Sequence, residues 1–87
     1  MITVYTQPGC GPCKRVVTQL RDAGLVEGED FDVADITVSP DDKDFVVNRL
    51  KARATPVITS WTHPPIFANE LEKLGPLINL YKATKES

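Results

Sequence analysis

Two cysteines, one histidine and one tryptophan are all that the 87 residues hold of those types, and the scarcity excludes several kinds of protein. A structural zinc site wants about four ligands, and Cys10, Cys13 and His63 fall short of that, so no metal site is expected. A secreted domain of this size usually depends on several disulfides, which two cysteines cannot supply. No block of one charge sign is present: 10 basic and 12 acidic residues leave a net charge of -2. Nucleic acid and anionic membrane surfaces are therefore poor partners. No apolar run approaches the roughly 18 residues of a spanning helix. The opening Met1-Ile2-Thr3-Val4-Tyr5 has no basic segment followed by an apolar one, as a secretory leader would. Repeats, linkers and low-complexity stretches are absent too. With 41% hydrophobic and 25% charged residues there is material for one modest core. The expectation is a single domain over residues 1–87, monomeric and cytoplasmic.

What is present is concentrated in Gln7-Pro8-Gly9-Cys10-Gly11-Pro12-Cys13-Lys14-Arg15, where a strand pattern ends and a helix pattern begins. A helix N-terminus offers unpaired N–H groups and the positive end of the helix dipole, and both favour a thiolate over a thiol. The thiolate is the nucleophile of disulfide exchange. Cys10 is placed to attack and Cys13 to resolve. Two intervening residues put both sulfurs on one edge of the first helical turn, close enough to close a small disulfide ring. Lys14 adjoins Cys13 and favours a thiolate on the pair. A lone Cys-x-x-Cys in a reducing compartment reads as redox or metal chemistry, and the shortage of further ligands leaves redox.

Along the rest of the chain, alternating β-branched and aromatic residues make 1–6 a strand, ended by Pro8-Gly9. Cys13, Val16, Val17 and Leu20 fall at i, i+3, i+4 and i+7, giving a helix over about 11–23 with Gly24 as its C-terminal cap. Phe31, Val33, Ala34 and Ile36, with Asp30, Asp32 and Asp35 interleaved, form a second strand, so the first two strands are parallel across a right-handed crossover. Ser39 as N-cap, Pro40 at the first helical position and Asp41-Asp42 behind it start a second helix that should run to about Lys51, with Val46, Val47 and Leu50 toward the sheet and Phe45 widening the stripe. Thr55 to Ser60 reads as a third strand opened by a proline, Trp61 to Pro65 as a turn and Ile66-Phe67 as a short fourth strand. Leu71, Leu74, Ile78 and Tyr81 line a last helix, expected to follow a short turn at 70–74 and to open with Pro76 at its first position, because an interior proline costs about 3 kcal/mol or more.

That order, with a cysteine pair before the first helix and Thr55-Pro56-Val57 before the third strand, resembles the glutaredoxin branch of the thioredoxin superfamily, including the NrdH-redoxins. Val4-Tyr5-Thr6-x-Pro8-x-Cys10-x-x-Cys13 is similar to a glutaredoxin's first strand and active site, while Cys10-Gly11-Pro12-Cys13-Lys14 is the thioredoxin tetrad with its following lysine. The resemblance implies an α/β thioredoxin fold, β-α-β-α-β-β-α, with a four-stranded mixed sheet and three helices. It implies a dithiol-disulfide oxidoreductase in which Cys10 and Cys13 are catalytic and Thr55-Pro56 is a cis bond against the sulfurs. Gly11, Pro12, Thr55, Pro56 and Val57 then meet the substrate chain, which pairs with the Thr55-Pro56 backbone in strand fashion. It implies no bound cofactor, disulfide-containing proteins as substrates, and for NrdH-like members the role of electron donor to ribonucleotide reductase.

Three positions depart from the branch. Gln7 stands where glutaredoxins usually carry a lysine that holds a glutathione carboxylate. Ala68-Asn69-Glu70 replaces the Gly-Gly and acidic cap that grip the tripeptide's other end. The Trp-Ser-Gly-Phe-Arg-Pro stretch of NrdH-redoxins is missing. Thioredoxins also bury an aspartate beneath the active site, and Met1 to Thr6 contains none. The expected reductant is accordingly a thioredoxin-reductase-type flavoenzyme, with glutathione as the alternative. A non-catalytic thioredoxin-fold binding module is the alternative of another class.

Overall fold

The computed structural model describes residues 1–60 and 63–86, so the start of the turn expected from Trp61 lies outside the described residues. Its elements are β1 (Ile2–Thr6), α1 (Gly11–Asp22), β2 (Phe31–Asp35), α2 (Pro40–Asp44), β3 (Val57–Ser60), β4 (His63–Ile66) and α3 (Leu74–Glu86). A π-helical turn, Phe45–Arg49, continues α2, and a 3₁₀ segment, Ala68–Lys73, leads into α3. The strands lie in the order β2-β1-β3-β4. β1 and β2 run parallel, with Ile2 opposite Phe31, while β3 is antiparallel to both β1 and β4. The β-α-β-α-β-β-α order and the four-stranded mixed sheet are those the sequence resemblance implies.

The period-two alternation of the central strands divides the apolar residues between two faces. Ile2, Val4 and Ile58 point to one, where Val16 and Leu20 of α1 and Leu74, Leu77 and Ile78 of α3 cover them together with Phe31 and Ile66. Val57, the neighbour of Ile58, belongs to a smaller cluster on the other face with Ile36 and Val46, against which Tyr5, Phe45, Leu50 and Phe67 pack. The Tyr5 and Phe45 rings meet at 5.8 Å between centroids. Helices α1 and α3 therefore share one side of the sheet, and α2 takes the other.

One buried charge pins the larger side together. Asp30 is only 2% exposed. Its carboxylate accepts from the Val26 N–H at 2.8 Å and from the Tyr81 hydroxyl at 3.1 Å. Lys82 donates to the Ala23 carbonyl at 3.0 Å, so α3 is tied to the end of α1 as well.

Five expectations need correction. The second helix is not a continuous α-helix to Lys51: after Asp44 the turn widens, Leu50 N–H bonding the Phe45 carbonyl at 2.9 Å, and regular helix stops at Arg49. Val46 and Leu50 reach the sheet, but Val47 is 43% exposed, because adjacent residues on a helix point well apart and only one row has sheet beneath it. The third strand begins at Val57 opposite Tyr5, after Thr55-Pro56 and not with it, since Pro56 has no N–H to give a ladder. The fourth strand is His63–Ile66, earlier than the Ile66-Phe67 expected; His63 pairs with Ser60 and Ile66 with Ile58, and both Pro64 and Pro65 fit because β4 is an edge strand. Finally, α3 opens at Leu74, so Pro76 is its third residue and not its first. The first four N–H groups of a helix have no internal partner, so a proline there forfeits no hydrogen bond.

Candidate active site

The site is built where β1 hands over to α1. Gly9 takes a left-handed φ of +77°, a conformation open to glycine at little cost, and turns the chain so that Cys10 becomes the N-cap of α1. Gly11 and Pro12 fill the first two helical positions, where proline's missing N–H is no loss. The Cys13 N–H, one of the unpaired donors of this helix end, points at the Cys10 sulfur at 3.2 Å. That is the arrangement by which a helix start stabilises a charge on sulfur.

Cys10 and Cys13 are joined as a disulfide, their Cα atoms 5.3 Å apart. The two sulfurs differ in access. Cys10 is half-buried, whereas Cys13 is 3% exposed and faces inward with Val16. Gly11, Pro12 and Lys14 are exposed around them. The Thr55–Pro56 bond is cis, as expected, and the Thr55 carbonyl oxygen lies 3.6 Å from the Cys10 sulfur. Val57 is fully buried and opens β3 beneath this contact. The sequence-derived residues Cys10, Cys13, Thr55 and Gln7 are thus gathered from the end of β1, the start of α1 and the approach to β3.

Three depressions lie around the disulfide. An open groove of about 420 Å³ runs from both cysteines along α1, lined by Gln7, Lys14, Val17 and Arg21 and by Val33 of β2. On the other side a recess of about 150 Å³ is lined by Gln7, Lys43, Val46, Arg53 and Thr55, and a neighbouring groove of about 390 Å³ by Lys51, Arg53, Phe67 and Asn69. Lys43 and Arg53 were not singled out by sequence reasoning. The available signal was Arg53's position two residues before Thr55-Pro56. His63 joins β4 and its Nδ1 sits 2.8 Å from the Pro64 carbonyl. Among the described residues no three or more of His, Cys, Asp and Glu gather as a metal centre would require. No helix among them is long and apolar enough to cross a membrane.

Deeper in the sheet, burial raises the Tyr5 phenol above its ordinary pKa; a hydrogen bond with Thr59 works against the shift and the nearby Asp42 charge adds to it. Tyr5 is therefore a neutral wall residue at physiological pH, and takes no proton from the sulfurs.

Comparison with known proteins agrees with this geometry. The chain is 40% identical over 84 residues to the Gene 56 protein of Mycobacterium phage L5, covering 97% of this chain and 78% of that one. Among solved structures it is similar to a mutant of the thioredoxin-like protein BC3987, with a TM-score of 0.76 at 23% identity, covering 91% of this chain and all of that one. It is also similar to the glutaredoxin-like protein NrdH-redoxin from Escherichia coli, with a TM-score of 0.72 at 18% identity, covering 87% of this chain and 92% of that one. The glutaredoxin family model matches residues 2–60, which include β1, both cysteines and the Thr55–Pro56 bond. With a closed Cys10–Cys13 disulfide at a helix start on a thioredoxin-like fold, the chain belongs to the glutaredoxin family and is a thiol-disulfide oxidoreductase.

Proposed function

We propose that this protein reduces disulfides in other proteins through two successive exchanges at Cys10 and Cys13, and that a thioredoxin-reductase-type flavoenzyme returns it to the dithiol form. The observation that carries the reading is the asymmetry of the pair: Cys10 is accessible and capped by the Cys13 N–H, while Cys13 is buried behind it. In the dithiol state the Cys10 thiolate attacks one sulfur of the substrate disulfide, and the other substrate sulfur leaves as a thiolate. Cys13, having lost its proton to solvent, attacks the Cys10 sulfur of the mixed disulfide. The second substrate thiol is expelled and the Cys10–Cys13 bond closes. Two electrons have passed to the substrate, and the donor must supply two to reopen the ring. The Thr55 carbonyl beside Cys10, with Gly11 and Pro12, forms the surface that the substrate backbone meets, while Pro56 and Val57, expected to touch the substrate, are buried and support that surface from beneath.

The donor assignment rests on polar groups. Glutathione carries two carboxylates and an ammonium, and its recognition calls for charge-assisted hydrogen bonds at both ends. Gln7 is neutral, and Ala68 and Asn69 begin a 3₁₀ segment with no side-chain cap, so Lys51 and Arg53 are the cations that the groove they line offers a carboxylate, at one end of the tripeptide only. The Escherichia coli NrdH-redoxin has a thioredoxin-like activity profile, and a reductase-linked donor fits the same pattern. Electron donation to ribonucleotide reductase is the role this reading extends to.

Two experiments test the proposal. Cys10→Ser abolishes reduction of a protein disulfide, and Cys13→Ser accumulates a stable mixed disulfide, visible by mass spectrometry and released by dithiothreitol. Oxidised protein is then given NADPH with thioredoxin reductase, or NADPH with glutathione reductase and glutathione, and NADPH loss is followed. Efficient turnover only in the glutathione system returns the protein to glutathione-dependent chemistry.

A further inference from the structure

From Phe45 to Asn69 the chain contains no aspartate or glutamate, yet it contains Arg49, Lys51 and Arg53, within a protein whose net charge is -2. The fold sets this stretch beside the reactive disulfide. Arg53 precedes Thr55 by two residues, and the Thr55 carbonyl is 3.6 Å from the Cys10 sulfur. Arg53 shares the 150 Å³ recess with Lys43 from α2 and with Gln7, and shares the adjoining groove with Lys51. Lys43, Lys51 and Arg53 are all exposed. Among the described residues none of them makes an ion pair or a side-chain hydrogen bond, the ion pairs being Arg21 with Glu27 and Lys73 with Glu70. On the opposite flank Arg21 is held by Glu27 at 2.7 Å, and the exposed Lys14 is the other cation of that groove. Among the described residues Lys43, Lys51 and Arg53 therefore border the disulfide on the Thr55 side without a salt-bridge partner, with Asp41, Asp42 and Asp44 alongside Lys43 in α2.

We propose that this basic flank selects substrates: the partner is a protein segment with aspartate or glutamate within a few residues of its reactive cysteine, and Lys43, Lys51 and Arg53 are specificity-determining residues that meet those carboxylates. The proposal rests on the reading above that the substrate is a protein disulfide, and it adds the chemistry of the sequence around it. Cations without an internal acceptor stay hydrated and free to receive an external carboxylate. Exposed charge pairs are individually weak, so each contributes a factor of about two or three. Their effect appears in the encounter rate, which complementary charge raises and salt suppresses. The screening length is about 10 Å at 0.1 M salt and about 3 Å at 1 M, so the preference fades over that range.

The test uses the full chain, reduced in advance and freed of reductant, so that no donor enzyme is involved. Three disulfide-bonded peptides, alike except for glutamate, glutamine or lysine flanking the cysteine, are mixed with it and the second-order reduction rates compared. The glutamate peptide is expected to react about fivefold faster than the glutamine peptide in low salt, the lysine peptide slower than both, and the differences to vanish toward 1 M salt. Lys43→Gln with Arg53→Gln brings the glutamate-to-glutamine ratio to near one. Equal rates for all three peptides overturn the proposal while leaving protein-disulfide reduction intact. Reduction of none of them overturns both. Glutathione disulfide, whose carboxylates come from a small molecule, is the comparison arm: if the double variant slows its reduction and leaves the peptide ratio unchanged, the flank serves the tripeptide and the proposal fails.

Discussion

Removing the Tyr81 hydroxyl is the sharpest probe of what holds α3 to the rest of the fold. Asp30 is a buried carboxylate, and Tyr81 reaches it from 51 residues away at 3.1 Å. Tyr81→Phe keeps the ring and deletes one donor. A hydrogen bond to a charged group contributes about 1.5–3 kcal/mol, and the half-exposed position of Tyr81 lets water replace part of it, so the lower end applies. In a domain of this size each kcal/mol moves the melting temperature by about 4–8 °C, which makes the expected fall about 6–12 °C. Thermal unfolding of the oxidised protein, followed by circular dichroism, reads it directly. A double-mutant cycle with Asp30→Ala separates this pair from any other contact either residue makes, and the coupling should be about 1 kcal/mol or more. Thiol chemistry should be spared. Asp30 adjoins the Ile2 end of β1, its carbonyl bonded to the Ile2 N–H at 3.0 Å, whereas the cysteines follow the Thr6 end. Five strand residues separate the two ends by about 16 Å. A melting shift under about 2 °C, or an unchanged shift in the Asp30→Ala background, would refute the argument.

Other outcomes follow from the same structure. In the dithiol state Cys10 is alkylated faster than Cys13 at neutral pH, measured on single-cysteine variants by mass spectrometry; equal rates would remove the basis for their separate roles. Val46→Ala costs about 1–3 kcal/mol because Val46 is 2% exposed, while Val47→Lys changes stability by less than about 0.5 kcal/mol, and urea titration distinguishes them. Asp35 accepts hydrogen bonds from the Thr37 hydroxyl at 2.6 Å and N–H at 2.8 Å, and these hold its carboxyl below the ordinary range. A depressed folded-state pKa gives stability that is complete above the unfolded carboxylate value and lost as pH falls through the folded one. Thr37→Val should raise the Asp35 pKa in an NMR titration and move that loss to higher pH.

The parts of the fold legible in the sequence were those set by local rules. Cys13, Val16 and Leu20 specified the face of α1, Ser39-Pro40 specified where α2 starts, and the alternation in β1 gave its two-sided burial. The site was legible for a related reason: Cys-x-x-Cys needs a helix start, and Pro8-Gly9 announced one. What escaped depends on partners distant in sequence. The widened turn after Asp44, which accompanies the packing of Val46 and Leu50 against the other sheet face, has no marker in the residues Phe45–Arg49 themselves. Asp30 looked like one more polar residue interleaved in β2, and only the fold shows that the Val26 N–H and Tyr81, far along the chain, receive its buried carboxyl. Lys43 and Arg53 read as helix and loop charges until the fold placed them on one recess.

The two prolines of β4 bear on how this protein lives at high concentration. An outermost strand normally offers a row of N–H and C=O groups to any passing chain, and such rows seed edge-to-edge aggregation. Pro64 and Pro65 carry no N–H, so half of this strand's four residues can donate nothing to a newcomer. If the proposed substrate contact beside Thr55 holds, the protein has reason to be open to strand addition at that one place and closed to it along its border. The consecutive prolines, awkward for a strand in the middle of a sheet, serve here as a guard against polymerisation.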